Sequence, residues 1–183
     1  MKKILIIALS LFAVLSCSKD EETAKTNGEV VLSSQIMGDA TNYYVEGFLF
    51  ENAKKVNYNI TSGTIPDLVL ENSLEISGDV AGANLASPQN ETAFFKAGEF
   101  ASLQEAENFF NNLTDVGSNV YTPTANNIAA NQVYIFQLRS NKFAKILIKD
   151  YKLVQGVMND YVQATIEWEY QPNGEKLFSG QSN

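Results

Sequence analysis

Apolar and polar residues alternate along much of the chain from Glu29 onward. The clearest case is residues 162–170, where one set of side chains is apolar and the intervening set is polar. The apolar set is Ala164, Ile166 and Trp168, and the polar set is Thr165, Glu167 and Glu169. A period of two is typical of a β-strand with one buried face. Residues 56–61 alternate in the same way, so we predict a strand in each region.

Other segments have strand composition with a weaker alternation. Residues 43–50 are rich in aromatic and β-branched side chains, with Val45, Phe48 and Phe50 as candidates for a buried face. We predict further strands at 30–36, 67–71, 74–77, 133–138 and 142–149. Residues 82–92 and 116–131 are rich in Asn, Ser, Thr and Pro, and we predict loops there.

Short turns separate several of these strands. Gly78-Asp79, Ser140-Asn141 and Pro172-Asn173-Gly174 are typical turn sequences, and residues 176–178 are expected to return beside the last long strand. Strands joined by short turns pair antiparallel. The pattern therefore predicts an all-β, sandwich-like domain with a mostly antiparallel sheet.

One helix interrupts the strands, near residues 102–113. Ser102 and Glu105 have the spacing of a capping box. Leu103, Ala106, Phe110 and Leu113 recur at helical spacing, which predicts a short amphipathic helix with one buried face.

The first residues indicate export and lipidation. Lys2 and Lys3 precede an apolar segment, residues 4–15, that is too short to span about 30 Å of hydrocarbon but suits a signal peptide. The sequence Val-Leu-Ser-Cys at 14–17 is a lipobox. We expect cleavage after residue 16 and a lipid anchor, such as palmitate, on Cys17, the only cysteine. The alternative is an ordinary signal peptide followed by an incidental cysteine.

The residues after Cys17 are charged and polar. Ser18, Lys19, Asp20, Glu21 and Glu22 resemble the export signal that sends lipoproteins of Bacteroidota to the cell surface. A solvated linker would have a similar composition. We therefore divide the chain into a signal peptide (1–16), a lipidated cysteine with a flexible acidic tether (17–28) and a single domain (29–183).

Composition narrows the functional classes. Without the signal peptide the chain has 11 Lys and Arg against 21 Asp and Glu, a net charge of −10, which disfavours nucleic-acid binding. There is no histidine, so the usual general base and the usual haem, zinc and copper ligand are missing. We expect no catalytic residues, no metal site and no enzymatic activity.

The last third of the chain resembles a known family. The segments are Tyr-Ile-Phe-Gln-Leu at 134–138, Asn-Lys-Phe-Ala-Lys-Ile-Leu-Ile at 141–148 and Ala-Thr-Ile-Glu-Trp-Glu-Tyr-Gln-Pro-Asn-Gly at 164–174, followed by Phe178. Over residues 132–178 this pattern is similar to the HmuY family of Bacteroidota lipoproteins, which includes haem-binding haemophores. The resemblance implies an all-β body and haem or another porphyrin as the candidate ligand.

This chain departs from the family pattern in its possible haem ligands. The founding haem binder of the family ligates haem through two histidines, and this chain has no histidine. Methionine is a remaining iron ligand, and the chain after the signal peptide has only Met37 and Met158. Both precede or follow a glycine, Gly38 or Gly156, in regions that we predict to be loops or hairpins. The alternative, which the residues favour, is that each methionine is a partly buried residue that fills a gap in the packing.

Two further groups of side chains are candidate sites. The carboxylate pairs are Glu71/Glu75 and Glu167/Glu169. The second pair projects from one face of a strand and could hold calcium or form a glycosidase dyad, but alternation on a solvent-facing strand explains it fully. Tyrosines 43, 44, 121, 151 and 161 could line a surface for flat ligands or sugars, or could pack within hairpins.

The sequence thus supports two functional hypotheses. The first is a lipid-anchored outer-membrane protein, exposed at the cell surface, that binds a ligand or partner without catalysis. The second is a structural or accessory lipoprotein subunit of an outer-membrane protein complex.

Overall fold

The computed structural model describes residues 25–39, 41–59, 61 and 63–178. This part of the chain is an antiparallel β-sandwich with one short helix, which confirms the predicted all-β class. In chain order the elements are β1 (Asn27–Ser33), β2 (Met37–Gly38), β3 (Tyr43–Leu49), β4 (Lys54–Tyr58), β5 (Leu68–Leu74), β6 (Val80–Ala86), β7 (Phe94–Glu99), α1 (Leu103–Asn112), β8 (Thr124–Ala125), β9 (Gln132–Gln137), β10 (Phe143–Val154) and β11 (Tyr161–Gln171).

The strands form two sheets. The first has the order β1-β11-β10-β9-β7, and the second has the order β2-β3-β5-β6-β8 with β4 paired to β3. Every pairing is antiparallel. β11 lies between β1 and β10. Its residue Ile166 lies opposite Val30 on β1 and opposite Ile148 on β10.

The main core fills the space between the sheets. Ala164, Ile166 and Trp168 all point into it, as their alternation predicts. The Trp168 ring lies 5.3 Å from Phe48 and 5.8 Å from Phe50, measured between ring centroids, so aromatic contacts join the two sheets. Both phenylalanines are buried, which confirms two of the three candidates for that face, whereas Val45 is half-buried.

Helix α1 covers the outer face of the first sheet. The Ser102 hydroxyl accepts a hydrogen bond from the Glu105 backbone N–H, so the predicted cap is present. Ala106 and Phe110 pack against Val133 and Leu147 on the sheet below. The helix is where the sequence predicts it, and it buries this second face of the sheet.

The polar face of β11 is therefore not a solvent face, contrary to one explanation offered for Glu167 and Glu169. Lys145, on the neighbouring strand β10, is fully buried on this side, and its Nζ lies 2.9 Å from a Glu169 carboxylate oxygen. The same Nζ donates to the backbone oxygens of Phe110 at 2.8 Å and Leu113 at 3.1 Å. The buried ammonium thus joins the C-terminal end of α1 to the sheet.

Three local predictions were wrong. The predicted loop at 82–92 begins inside β6, and the predicted strand at 74–77 is largely a turn, in which the Gly78 N–H donates to the Glu75 oxygen. The segment at 176–178 does return, but it pairs with residues 114–116 rather than with β11, through the Val116 N–H and the Phe178 N–H. Phe178 is buried there beside Val116, Ile135 and Phe143.

Candidate functional site

The two ends of the sandwich differ in shape and chemistry. We define the turn end by the β9–β10 turn, residues 138–142, together with the end of β11. The tip end lies opposite and comprises the β5–β6 turn, residues 75–79, and the β10–β11 connection, residues 155–160. β1 begins at the turn end, where Asn27 is paired with Glu169, so the chain arriving from Cys17 enters the body there.

Aliphatic side chains stand in solvent at the tip end. Ile76 on one hairpin and Val157 and Met158 on the other have relative exposures of 109%, 106% and 91%. Leu74 and Leu153, at the bases of the same hairpins, are also exposed. We call these five residues the aliphatic tips. A group of exposed apolar side chains on adjoining hairpins is a feature of binding surfaces.

The two hairpins are held beside each other below the aliphatic tips. The Asn72 side-chain amide donates to the backbone oxygen of Asp160 at 3.4 Å, and the Ser34 hydroxyl donates to the Asn72 side-chain oxygen. The Ser34 hydroxyl also accepts from the Val162 N–H at 2.8 Å. This buried polar link joins β1, β5 and β11, so the hairpin bases are fixed while the tips project.

The turn end is concave and polar. A cavity of about 380 Å³ lies between the β3–β4 turn and the β9–β10 turn. Its lining combines Asp67, Arg139 and the buried Tyr170 with the exposed turn residues Glu51 and Asn52. A Cβ atom at Gly47 would lie 2.4 Å from the Pro66 side chain, so the glycine lets the segment before Asp67 pack closely on β3.

A second groove lies on the other side of the β9–β10 turn. It has a volume of about 630 Å³ and is formed by the loop after α1, the β9–β10 turn and the C-terminal segment. Tyr121 contributes an aromatic wall, with ring centroids 6.4 Å from Phe95 and 6.5 Å from Phe143. Asn119 and Lys176 contribute polar groups to the same groove.

The structure separates the two candidate haem ligands by element. Met37 is half-buried in β2, opposite Tyr44, so it lies in a short strand and not in a loop. Met158 lies in the β10–β11 connection, as predicted, and belongs to the aliphatic tips. Haem ligation by either residue remains a prediction.

The structure gives both glutamates of the second carboxylate pair lysine partners. Glu169 pairs with Lys145, and Glu167 lies 3.5 Å from Lys149, which also approaches Glu29 and Glu107. Glu71 is exposed on β5, and Glu75 begins the β5–β6 turn. Within residues 25–39, 41–59, 61 and 63–178, no group of three or more acidic, histidine or cysteine side chains could hold a metal ion.

The tyrosines are distributed over both ends. Tyr43 is exposed and Tyr44 is half-buried, and the two are neighbours on β3. Tyr151 packs against the main core near the tip end, and Tyr121 lies in the groove at the turn end. The aromatic residues therefore do not form one continuous surface.

The motif residues behind the HmuY resemblance serve packing. Lys145 holds α1, as described above, and the Lys142 Nζ lies 5.9 Å from the Tyr170 ring centroid and 3.1 Å from Glu51. Hydrogen bonds to Tyr170 and Glu51 raise the pKa of Lys142. The Asn141 backbone is left-handed, with φ of 60°, in the tight turn that the sequence predicts.

Sequence reasoning missed both Asp67 and Arg139. Arg139 is the single arginine of the chain, and this could have singled it out as a candidate binding residue. Asp67 follows Pro66 at the start of β5 and gives no comparable signal. Only the fold brings together two residues that are 72 positions apart.

The anchor residues lie outside the described part of the chain. The residues outside the described part are the whole predicted signal peptide, Cys17 and the acidic signal Ser18, Lys19, Asp20, Glu21 and Glu22. Among the described residues, no helix is both long enough and apolar enough to cross a membrane.

Comparison with known proteins finds no relative of this chain. No family model, no curated protein and no solved structure matches it.

Proposed function

We propose that this chain is a non-catalytic binding lipoprotein of the outer membrane, anchored through Cys17 and exposed at the cell surface. The lipobox and the acidic residues 18–22 support the location. The observation that carries the binding role is the set of aliphatic tips. Their side chains are exposed at the end opposite to the entry of the tether, so they would face away from the anchored end of the domain.

Haem or another porphyrin is the candidate ligand for this end. A porphyrin has a large apolar face, which suits aliphatic side chains, and the thioether of Met158 is an iron ligand within the same surface. Met37, in β2, is the second candidate ligand.

Titration of the soluble domain with haemin tests this ligand. We expect a shift of the Soret band that Met158→Ala weakens, with a smaller effect of Met37→Ala. Val157→Ala is the matched control, because it trims the same surface without removing a thioether. A missing Soret shift, or one that neither methionine variant changes, would exclude methionine-ligated haem.

A second function, that of an accessory subunit in an outer-membrane complex, is favoured by the openness of the tip end. Met158 is 91% exposed, and so little enclosure suits a docking surface for protein better than a pocket for a small ligand. Affinity purification from detergent-solubilised native membranes addresses this function. A stoichiometric membrane partner that Val157→Ser/Met158→Ser releases would support it, and retention of that partner by the variant would exclude docking through the tips.

A further inference from the structure

The open, polar cavity at the turn end has enough space for a small ligand. Its volume of about 380 Å³ falls in the range of small-molecule pockets. It lies at the opposite end of the sandwich from the aliphatic tips and therefore represents a separate site. The lining residues are Leu49, Glu51, Asn52, Asp67, Leu138, Arg139, Ser140 and Tyr170.

Asp67 provides a hydrogen-bond acceptor inside this cavity. One carboxylate oxygen accepts from the Phe50 N–H at 3.0 Å, and the side chain is only 12% exposed. The other oxygen lies 4.0 Å from Arg139, which is too far for a hydrogen bond. Burial raises the pKa of Asp67, although the Phe50 N–H and the Arg139 charge act in the opposite direction. The second oxygen therefore has acceptor capacity directed at the space between the two residues.

Arg139 provides the donors. Its Nη2 donates to the Ile65 backbone oxygen at 3.0 Å, and the side chain is 32% exposed. A guanidinium has five N–H donors in a planar fork. In the part of the chain that the structure describes, Ile65 and Asp67 are the polar partners of this group. Further donors are thus available to a ligand in the cavity.

The spacing of these two charges disfavours a ligand that carries a single charge. A carboxylate placed near Arg139 would also lie near Asp67, and an ammonium near Asp67 would also lie near Arg139. Because the two opposite charges are only 4.0 Å apart, each weakens the attraction of the other for such a ligand. The nearby charges of Glu51 and Lys142 neutralise each other in the same way, at 3.1 Å.

A hydroxyl group uses both partners, since it donates to a carboxylate and accepts from a guanidinium. We propose that this cavity binds a neutral sugar, with two adjacent ring hydroxyls between Asp67 and Arg139. Leu49 is the half-buried apolar side chain of the lining against which the C–H face of a sugar ring would pack, whereas the Leu138 and Tyr170 side chains are buried and offer little surface. Asn52 and Ser140 place an amide and a hydroxyl at the rim for further hydroxyls.

Ligand-observed NMR of the soluble domain with glucose, galactose and mannose tests this site. For a ligand of about twelve non-hydrogen atoms we expect a dissociation constant of about 1 mM for at least one of the three sugars. Arg139→Lys keeps the charge but removes the planar fork, and Asp67→Asn removes a charged acceptor. Each should weaken binding by about tenfold or more.

Two further variants keep the test decisive. Asn52 is exposed, so Asn52→Ala reports on the cavity independently of the variants at Asp67 and Arg139. We expect it to weaken binding about threefold to tenfold. Asn119→Ala in the neighbouring groove is the matched control and should leave binding unchanged.

Several outcomes would overturn the proposal. These are no detectable binding of any of the three sugars, equal binding by wild type, Arg139→Lys and Asn52→Ala, or a loss confined to Asn119→Ala. Glycine and acetate serve as charged probes, and tighter binding of either would show that the site selects charge. A negative result here leaves the aliphatic tips and their proposed role untouched, because the two sites are tested with different variants.

Discussion

At the turn end of the sandwich, several charged side chains are buried or half-buried and have partners, whereas at the tip end aliphatic side chains stand in solvent without enclosing neighbours. Asp67, Arg139 and the nearby Lys145 illustrate the first arrangement. Ile76, Val157 and Met158 illustrate the second. Burying charge can cost stability even where the charges are paired, and exposing apolar surface gains none. Both ends therefore retain features that folding alone does not favour.

The difference also teaches which substitutions report on folding and which report on binding. Changes at the turn end alter buried partners and should change the free energy of unfolding. Changes at the tip end remove side chains that are equally exposed in the folded and unfolded chain, so they should alter binding alone. The four predictions below run from the largest expected change in the free energy of unfolding to the smallest.

Lys145→Met should have the largest effect on stability. The variant removes the donor to Phe110 and Leu113 and the ion-pair partner of Glu169. Breaking a buried pair of this kind costs about 3–5 kcal/mol of the free energy of unfolding, measured by urea denaturation with Trp168 fluorescence. Lys149→Met is the control, because Lys149 is partly exposed and its ion pairs should contribute less than about 1 kcal/mol. A loss below that control value would show that the buried ammonium does not hold α1.

Ser102→Ala should cost less, because it removes one hydrogen bond at the other end of the same helix. Loss of an N-cap hydroxyl typically lowers the free energy of unfolding by about 1 kcal/mol. Ser102→Thr retains a capping hydroxyl and should stay close to wild type. Thermal unfolding followed by circular dichroism distinguishes the variants, and identical midpoints for Ser102→Ala and Ser102→Thr would contradict the cap.

Asp67→Asn should change the free energy of unfolding by less than about 1 kcal/mol, and the change should depend on pH. Burial raises the pKa of Asp67 above its ordinary value of 3.8. The folded state then holds the proton more tightly than the unfolded state, so this stabilising contribution is complete below pH 3.8 and is lost as pH rises through the raised pKa. The variant should therefore gain stability relative to wild type between pH 3 and pH 7. If the variant instead lost stability relative to wild type between pH 3 and pH 7, the prediction would be wrong.

The smallest change in stability should come from the tip end. Ile76→Ser/Val157→Ser/Met158→Ser should leave the free energy of unfolding within about 0.5 kcal/mol of wild type, since the side chains are already in water. Binding of a hydrophobic dye by the folded domain should fall in the same variant. Destabilisation well beyond that limit would mean that the tips are packed and are not a free surface.

The alternation of residues predicted most of the fold because half-buried strands leave that pattern in the sequence. It failed at β6, whose residues 80–86 contain Gly, Asn and three Ala and so lack strand composition. The pairing of residues 176–178 depends on where α1 ends, which local sequence does not specify. A lysine inside the apolar segment 143–148 was a usable signal, because lysine is almost never buried without a partner.

The two ends of the molecule were less predictable than its body. Exposed aliphatic residues at hairpin tips resemble core residues in sequence, so Ile76 and Val157 gave no warning of their location. The Asp67–Arg139 pair joins positions on different sheets, and no periodicity connects them. Such sites depend on tertiary packing, which hydrophobic patterning constrains only indirectly.

The position of β11 has a consequence for biogenesis. This strand lies between β1 and β10, and Asn27 faces Glu169 across 142 residues of chain. The first sheet cannot close until nearly the whole polypeptide has emerged, and closure of so distant a contact makes folding slow. A nascent chain of this topology would stay unfolded for longer, because its first strand must wait for the strand that pairs with it.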